Sequence, residues 1–254
     1  MSEANDIKNH ISELRSRLLK IVISIMAITI FILTFHIDII NYFGIPIVYP
    51  TIEPFNNVSI QVINHLKSKL VPDNVELIQT APGQAFFAQI YISFLVATIA
   101  TIPIILKELI NFLTPALHKN EIVLGKSVFI PSIILFFSGC CFAYFVTIPY
   151  LLEFLYRYGE YAGIITFLSI TDFVTFVLQF LLAFGISFEL PLVMYTTTKI
   201  GMVDKKFWKN NIRYTMVIIV IFGAIITPDG SGITMWLISI PMIVLYFVGI
   251  KVLK

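Results

Sequence analysis

The chain has 254 residues, of which 58% are hydrophobic and 13% are charged, with a formal net charge of +2 and a mean hydropathy of +0.91. This composition excludes an ordinary soluble domain and predicts an all-α polytopic membrane protein. The apolar runs are too closely interleaved to leave room for a separate soluble domain, so residues 1–254 are expected to form a single membrane domain.

The first predicted element, residues 1–20, is an amphipathic helix that lies on one membrane face and leads into the first span. Its apolar residues recur at helical spacing, at Ile7, Ile11, Leu14 and Leu18. The charge-rich start is not followed by a small-residue cleavage site after the first apolar run. We therefore expect this span to remain as an anchor.

Six apolar runs predict membrane-spanning helices, at about residues 18–38, 85–106, 127–149, 172–198, 213–227 and 232–250. The connection 45–82 is expected to hold one short amphipathic helix over residues 60–70 and an extended segment at 76–80, and residues 150–171 are expected to form a loop. The run ending at residue 227 covers only about 21 Å as a helix, so the last hairpin is shorter than the bilayer or thins it locally. The alternative is a single re-entrant hairpin.

Lysine and arginine are distributed unequally between the two sides that these spans define. Fourteen of the 17 lie on the side of the N-terminus, and only Lys67, Lys69 and Arg157 lie on the other. Because positively charged loops stay in the cytoplasm, both termini are predicted to be cytoplasmic, which requires an even number of spans.

The fourth span carries a carboxyl group, Glu189, well inside an apolar run. At 100° per residue Gly185, Thr175 and Thr196 lie close to the direction of Glu189, which predicts one small and polar stripe. Pro191 removes a backbone donor, so the helix is expected to bend there. A buried acid is costly in lipid, and this combination favours a docking surface for a partner helix. The alternative is a protonated acid that is hydrogen-bonded to a neighbouring helix.

Two further carboxylates, Glu13 and Glu121, stand among basic neighbours at predicted membrane entries. A carboxylate matches a guanidinium group with two parallel hydrogen bonds, so two such groups on one face are suited to hold two arginines. The alternative is that each carboxylate is solvated and paired with its own basic neighbours.

Motifs of reactive chemistry are missing from the sequence. It has no H-E-x-x-H, no G-x-S-x-G and no Walker loop, and its four histidines are far apart, so no enzyme activity, metal or cofactor is expected. Cys140 and Cys141 are adjacent in an apolar run, which favours packing over a disulfide. Asn57-Val-Ser59 is a glycosylation sequon, which is meaningful only in an organism that modifies asparagine.

Five motifs occur in order along nearly the whole chain. They are His10-Ile-Ser-Glu-Leu-Arg-Ser-Arg17, Phe112-Leu-Thr-Pro-Ala-Leu-His-Lys-Asn-Glu121, Phe142-Ala-Tyr-Phe145, Phe184-Gly-Ile-Ser-Phe-Glu-Leu-Pro191 and Thr227-Pro-Asp229. Each motif alone is weak, but the combined set is highly specific. Together they resemble the TatC family, the receptor subunits of the twin-arginine protein translocase.

This resemblance implies six spans in a curved, concave bundle in the cytoplasmic membrane, with both termini in the cytoplasm. It also implies that the chain binds signal peptides bearing paired arginines, exports folded proteins with the proton-motive force, and recruits single-span TatA- or TatB-type partners. Homo-oligomers are expected in the assembled complex, and no nucleic-acid partner is expected.

The resemblance also implies roles for particular residues. By their positions in the family motifs, Glu13 and Glu121 correspond to contacts of the twin arginines. Arg15 and Arg17 correspond to basic residues of the same N-terminal motif as Glu13. Glu189 matches the intramembrane acid. The remaining matches are Asp229 in the last extracytoplasmic turn and Phe112, Pro115 and Leu117 in the loop that supports the binding face. The sequence departs from the pattern at Gln84, where many members carry Glu, which removes a charge from that position.

The residues and the resemblance together predict a non-enzymatic receptor and scaffold in the lipid bilayer. Its basic cytoplasmic face should repel a dibasic peptide at long range, so capture depends on short-range pairing with the carboxylates. One rival is a proton-coupled small-solute carrier with Glu189 as the proton site, although the two halves of the chain show no convincing similarity. The other rival is a passive assembly scaffold without affinity for signal peptides.

Overall fold

The computed structural model describes the backbone of residues 2–42, 45–72, 75–113, 119–161, 163, 167–227 and 232–253, and it describes the side chains of these residues except for 2–10, 39–42, 45–48, 113 and 119–127. Most of the described residues are helical. The helices are α1 Ser2–Thr34, α2 Val58–Leu70, α3 Gln84–Leu113, α4 Lys119–Phe142, α5 Ile148–Tyr161, α6 Ile170–Phe188, α7 Leu190–Lys199, α8 Lys205–Asn210, α9 Ile212–Ile226 and α10 Gly232–Val252. A π-helical turn, Ala143–Thr147, joins α4 to α5, and the strands are β1 Phe35–Tyr42, β2 Ile45–Ile52, β3 Glu76–Ile78 and β4 Phe167–Ser169.

Five helical segments are long and apolar enough to cross a membrane. They are Ile11–Thr34, Gln84–Phe112, Val128–Tyr161, Ile170–Lys199 and Gly232–Val252. Helix α9 is apolar but has only 15 residues, which is about 22 Å and less than the roughly 30 Å of a hydrocarbon core. The predicted all-α polytopic membrane fold is confirmed, and each of the six predicted spans contains a helix.

Several boundaries differ from the prediction: α3 runs to Leu113 rather than to residue 106, and α4 begins at Lys119 rather than at residue 127. Helix α1 ends at Thr34 rather than near residue 38, because Phe35 begins strand β1, which pairs antiparallel with β2 from Phe35 opposite Ile52 to Tyr42 opposite Ile45. These strands are rich in β-branched and aromatic residues, which favour strands once the chain leaves the helix. Residues 150–171, predicted as a loop, are helical as far as Tyr161. The short amphipathic helix and the extended segment of the 45–82 connection are confirmed as α2 and β3.

Residues 1–112 and 166–178 form one compact unit. Within it β3 pairs in parallel with β4, and Ile92, Leu95, Phe173 and Val177 are almost fully buried. This apolar core positions α3, the helix that carries one of the acidic residues described below.

Asn57 fixes the start of α2 within this unit. Its side-chain amide donates to the carbonyls of Leu33 at 2.9 Å and Pro54 at 3.0 Å, while its side-chain oxygen accepts from the backbone N–H of Ile60 at 3.2 Å. The residue is only 1% exposed. In the folded chain this side chain is therefore part of the packing of the first unit and is not open to solvent.

Residues 113–165 and 179–254 form the second compact unit. Its helices approach each other closely at glycines, as small residues allow in membrane bundles. A Cβ atom added at Gly139 of α4 would lie 2.9 Å from the carbonyl carbon of Phe184 and 3.0 Å from the Cα of Gly185. One added at Gly249 of α10 would instead meet the flexible side chain of Met194, with its Sδ at 2.6 Å. The contact at Gly139 packs α4 against α6 and so holds the segment that leads to Glu189.

Candidate functional site

An ion-pair cluster joins α1 to α3 in the first unit. The guanidinium of Arg17 donates from Nε (3.1 Å) and Nη2 (2.6 Å) to Oε1 of Glu13, and from Nη1 (2.8 Å) to Oε2 of Glu108. The Nζ atom of Lys20 lies 3.8 Å from the other oxygen of Glu108. We call these four residues the acidic cluster because its two carboxylates converge on one arginine.

Helical spacing builds one half of this cluster, and the packing of α3 builds the other. Glu13 and Arg17 are four residues apart on α1, which places their side chains on the same face. Glu108 is 91 residues away from Arg17 in sequence, and its side chain is only 11% exposed. A carboxylate buried to this degree is costly unless it is paired, so Arg17 and Lys20 stabilise it where it lies.

Glu13 is the open end of the acidic cluster. Its side chain is 33% exposed, compared with 20% for Arg17. Both hydrogen bonds from Arg17 go to Oε1, and within the described residues no donor reaches Oε2. Among the described residues, Glu13 is therefore the member of this ion pair that is more open to solvent.

The other residues predicted for this site are placed less completely. Arg15 is exposed and forms no ion pair with any residue whose side chain is described. Phe112 lies in the last turn of α3, one turn beyond Glu108. The backbone of Glu121 belongs to α4, but its side chain lies outside the described residues, as do Pro115, Leu117 and Asp229.

Glu189 stands at a break between two helices of the second unit. Helix α6 ends at Phe188 and α7 begins at Leu190, and the N–H of Glu189 bonds to the carbonyl of Ile186, three residues back rather than four. Pro191, in the first turn of α7, has no N–H to continue the α6 ladder. The hydrogen-bond ladder is therefore interrupted at the proline where a bend is expected, and the bend itself stays a prediction.

The carboxyl group of Glu189 is bonded on one side only. The hydroxyl of Ser132 on α4 donates to its Oε2 at 2.8 Å. Its Oε1 is buried and accepts no hydrogen bond from the described part of the chain. The first contact is the internal bond to a neighbouring helix that the alternative interpretation predicts, whereas the second oxygen keeps its capacity for an external donor.

Three other residues predicted beside Glu189 make local contacts. Gly185 faces Phe136, because a Cβ added to it would lie 2.6 Å from that ring. The Thr196 hydroxyl donates to the carbonyls of its own helix at 2.9 and 3.1 Å. Gln84 accepts the backbone N–H of Thr80 at 2.8 Å and so closes the start of α3. None of these three contacts involves Glu189.

Sequence reasoning missed Glu108. It follows Lys107 directly after residue 106, the predicted end of the second span, and it therefore lies outside every predicted span. The signal that could have found it is its position four residues before Phe112, which places it on the same helix face as the start of a recognised motif.

Sites for other chemistry are not found in the described residues. No group of three or more His, Cys, Asp or Glu side chains in that part of the chain is arranged to hold a metal ion. Cys140 and Cys141 are free, and the thiol of Cys140 donates to the carbonyl of Leu181 at 3.4 Å, in a packing contact.

A multi-pass helical membrane protein with carboxylates at helix breaks and helix ends is the class that this fold and these sites define. A family model for "Sec-independent protein translocase protein (TatC)" matches residues 9–241. The Sec-independent protein translocase protein TatC of Cenarchaeum symbiosum (strain A) is 55% identical over 240 residues, which cover 94% of this chain and 91% of that protein. The chain belongs to the TatC family.

Other relatives and solved structures agree with this assignment. The TatC protein of Aquifex aeolicus (strain VF5) is 39% identical over 181 residues, which cover 69% of this chain and 73% of the relative. A crystal structure described as that of the twin arginine translocase receptor TatC is similar with a TM-score of 0.77 at 31% identity, covering 95% of this chain and 96% of that one. The resemblance inferred from the five motifs is confirmed. The chain is a multi-pass membrane component of Sec-independent protein translocation, and these comparisons do not favour the solute-carrier alternative.

Proposed function

We propose that this chain is the receptor of a twin-arginine translocase in the cytoplasmic membrane, with both termini in the cytoplasm. The excess of Lys and Arg on the side of the N-terminus supports this orientation. In this role it binds the paired arginines of a signal peptide at Glu13 and Glu121, with Arg15 and Arg17 beside them. It then recruits single-span TatA- or TatB-type partners, as a homo-oligomer in the assembled complex, and exports folded cargo with the proton-motive force.

The observation that carries the proposal is the half-open carboxylate of Glu13. Glu13 is 33% exposed, and the described partner that it has, Arg17 of the same helix, bonds to Oε1, so Oε2 stays free of the described donors. A guanidinium is planar and offers paired N–H donors, whereas an ammonium is a compact point charge. Such a site therefore favours arginine over lysine, which is the distinction that a twin-arginine receptor has to make.

Glu189 is proposed to contact the transmembrane helix of a partner. A buried carboxyl oxygen without a donor is costly in a bilayer, and a polar group on a partner helix relieves that cost. The break between α6 and α7 also frees backbone carbonyls at the same depth. The partner would thus be selected by hydrogen bonding within the membrane.

The receptor role is tested by peptide binding to the chain in lipid nanodiscs. A fluorescent twin-arginine peptide is titrated against the wild type and against Glu13→Gln, Glu121→Gln and the double variant. We expect each single change to weaken binding roughly tenfold, because a charged hydrogen-bonded contact contributes about 1.5–3 kcal/mol. The double variant should abolish selectivity over a twin-lysine peptide.

The matched control is Glu153→Gln. Glu153 is half exposed and pairs with Arg157 at 2.6 Å at the same spacing of four residues as Glu13 and Arg17, but it lies on α5. Its loss should leave the affinity unchanged. Equal affinity of the wild type and the double variant would reject the receptor role, and so would equal affinity of the wild type for both peptides.

The role of Glu189 is tested separately with Glu189→Ala. We expect crosslinking to a single-span partner to fall while the affinity for the signal peptide stays close to the wild-type value. The reverse ranking would contradict this division of roles. Uptake of a small solute into liposomes that contain this chain alone would favour a carrier instead.

A further inference from the structure

The acidic cluster has the geometry of an arginine-binding site that already contains an arginine. Arg17 directs three N–H groups at two carboxylates on different helices, at 3.1 and 2.6 Å to Glu13 and 2.8 Å to Glu108. A guanidinium is the side-chain group that offers several coplanar donors in this fixed arrangement. The space between Glu13 and Glu108 is therefore shaped for a guanidinium, whichever chain supplies it.

The charges of the cluster make an occupant necessary. Without Arg17 the two carboxylates would face each other, and Lys20 is the one other cation that the described residues bring near them. The Nζ atom of Lys20 is 3.8 Å from Glu108, and its side chain is 61% exposed. Glu108 is largely buried, so its charge cannot be solvated fully by water. A cation must fill the space for the cluster to be stable.

The same occupancy opposes the binding of a peptide arginine. An arginine that approaches Glu13 meets a carboxylate whose Oε1 is already bonded and whose charge is offset by Arg17. Arg17 is 20% exposed, less than Glu13 at 33%, so part of its side chain is open to solvent next to the more exposed carboxylate. An external guanidinium that contacts Glu13 would therefore meet Arg17 and could replace it.

We propose that Glu13 and Glu108 form a guanidinium slot that Arg17 occupies in the resting chain, so that Arg17 competes with an arginine of the signal peptide. This inference rests on the proposed receptor function and adds to it a site residue, Glu108, and an internal competitor. Arg17 lowers the affinity for the peptide and so assists its release. Because the slot requires several coplanar donors, lysine displaces Arg17 poorly.

A different role for Arg17 makes the opposite prediction. If Arg17 only holds Glu13 in the binding position, its removal weakens peptide binding. Glu108→Gln then has no further effect on the affinity for the peptide once Arg17 is gone. If Arg17 is a competitor, its removal tightens binding, and the gain depends on Glu108. A double-mutant cycle of Arg17→Gln and Glu108→Gln separates the two cases.

The test is titration of a twin-arginine peptide against wild type, Arg17→Gln, Glu108→Gln and the double variant in nanodiscs. We expect Arg17→Gln to bind about fivefold more tightly, because the slot no longer has to release a resting ion pair before it takes up an arginine of the peptide. Arg17→Gln with Glu108→Gln should lose this gain. Arg17→Lys, which keeps the charge but not the planar fork, should fall between wild type and Arg17→Gln.

Lys107→Gln controls for general electrostatics. Lys107 is exposed, adjacent to Glu108 and outside the slot. Lys107→Gln therefore changes the net charge by the same amount as Arg17→Gln and close to the same place. It should change the affinity less than twofold. Weaker binding by Arg17→Gln, a gain no larger than that of Lys107→Gln, or a gain that persists in the double variant would each overturn the proposal.

A small-molecule measurement distinguishes failure of the slot from failure of the receptor role. Methylguanidinium should raise the unfolding temperature of Arg17→Gln more than methylammonium does, and this difference should vanish in the double variant with Glu108→Gln. If the slot binds methylguanidinium but no variant binds the peptide, the receptor proposal fails and the slot stands. If methylguanidinium and methylammonium raise the unfolding temperature of Arg17→Gln equally, the slot is rejected, whatever the peptide does. Monodisperse elution in detergent checks that each variant is folded.

Discussion

The contact between α4 and α6 at Gly139 provides a sharp test of the packing of the second unit. A Cβ at this position meets backbone atoms, 2.9 Å from the carbonyl carbon of Phe184 and 3.0 Å from the Cα of Gly185. Ordinary carbon–carbon contacts lie at about 3.5–4.0 Å, so Gly139→Ala requires the helices to separate by about 0.5–1 Å. Overpacking of this kind costs about 1–3 kcal/mol.

The same displacement reaches the Glu189 site. The hydrogen bond from Ser132 to Glu189 joins the same helix, α4, to the residue that follows α6, and it is 2.8 Å long. A separation of about 0.5–1 Å would lengthen it beyond the usual limit of about 3.2 Å. We therefore expect Gly139→Ala to lower the free energy of unfolding in mixed micelles and to reduce crosslinking of the partner helix.

Gly249→Ala is the matched control. The nearest atoms to a Cβ there are the Sδ and Cε of Met194, at 2.6 and 3.1 Å, and a thioether can change rotamer at small cost. The backbone contact, with the Cα of Pro191 at 3.3 Å, is looser than those at Gly139. We expect a loss of less than about 1 kcal/mol, smaller than for Gly139→Ala. Equal stability of the two variants, or an unchanged partner crosslink in Gly139→Ala, would refute the packing of α4 against α6 on which this reasoning depends.

Three further changes have defined outcomes. Asn57→Ala removes the cap of α2 and two bonds to backbone carbonyls, and it should lower the free energy of unfolding by about 2 kcal/mol or more in denaturant titrations. Tyr246→Phe removes a buried hydroxyl that donates to the carbonyl of Trp208; it should cost about 1–2 kcal/mol and accelerate hydrogen exchange in α8. Ser132→Ala removes the donor to Glu189; it should cost about 1–3 kcal/mol in the same micelle assay.

Each of these outcomes has a contrary result. Asn57→Asp keeps the acceptor that caps α2 and loses the amide donors, so stability equal to that of the wild type would show that the bonds to Leu33 and Pro54 contribute nothing. Unchanged exchange in α8 would show that Tyr246 does not hold it. If Ser132→Ala is as stable as the wild type, the internal hydrogen bond of Glu189 is not significant for folding.

The spans could be predicted because the signal is local. Apolar runs of about 20 residues specify helices in a bilayer irrespective of what they pack against. A disturbance of the helix near Glu189 could also be predicted from the sequence, because Pro191 lacks the N–H that an uninterrupted helix would use. The strands β1 and β2 were missed because the apolar run of the first span continues into residues 35–38 without a turn signal, and hydropathy alone does not distinguish a helix from a strand.

The site was only partly predictable because its contacts are long-range. Glu13 and Arg17 are one helical turn apart, so their pairing follows from spacing. The third member, Glu108, is 91 residues away from Arg17, and Ser132 is 57 residues away from Glu189. No periodicity in one sequence reports such pairs. Glu13 and Glu189 were identified from the sequence, whereas their long-range neighbours Glu108 and Ser132 became visible only in the packed helices.

The central claim is that the α1 end of the acidic cluster receives the arginines of a signal peptide. Its most direct test places a photoreactive residue at Ser16, which is exposed and near Glu13 on α1, and irradiates the chain with a twin-arginine peptide in vesicles. A second chain carries the same group at Tyr161, which is 87% exposed and lies on α5. We predict strong crosslinking from position 16, loss of that crosslink with a twin-lysine peptide, and no crosslink from position 161. Crosslinking from position 16 that is absent, or equal for both peptides, would contradict the account.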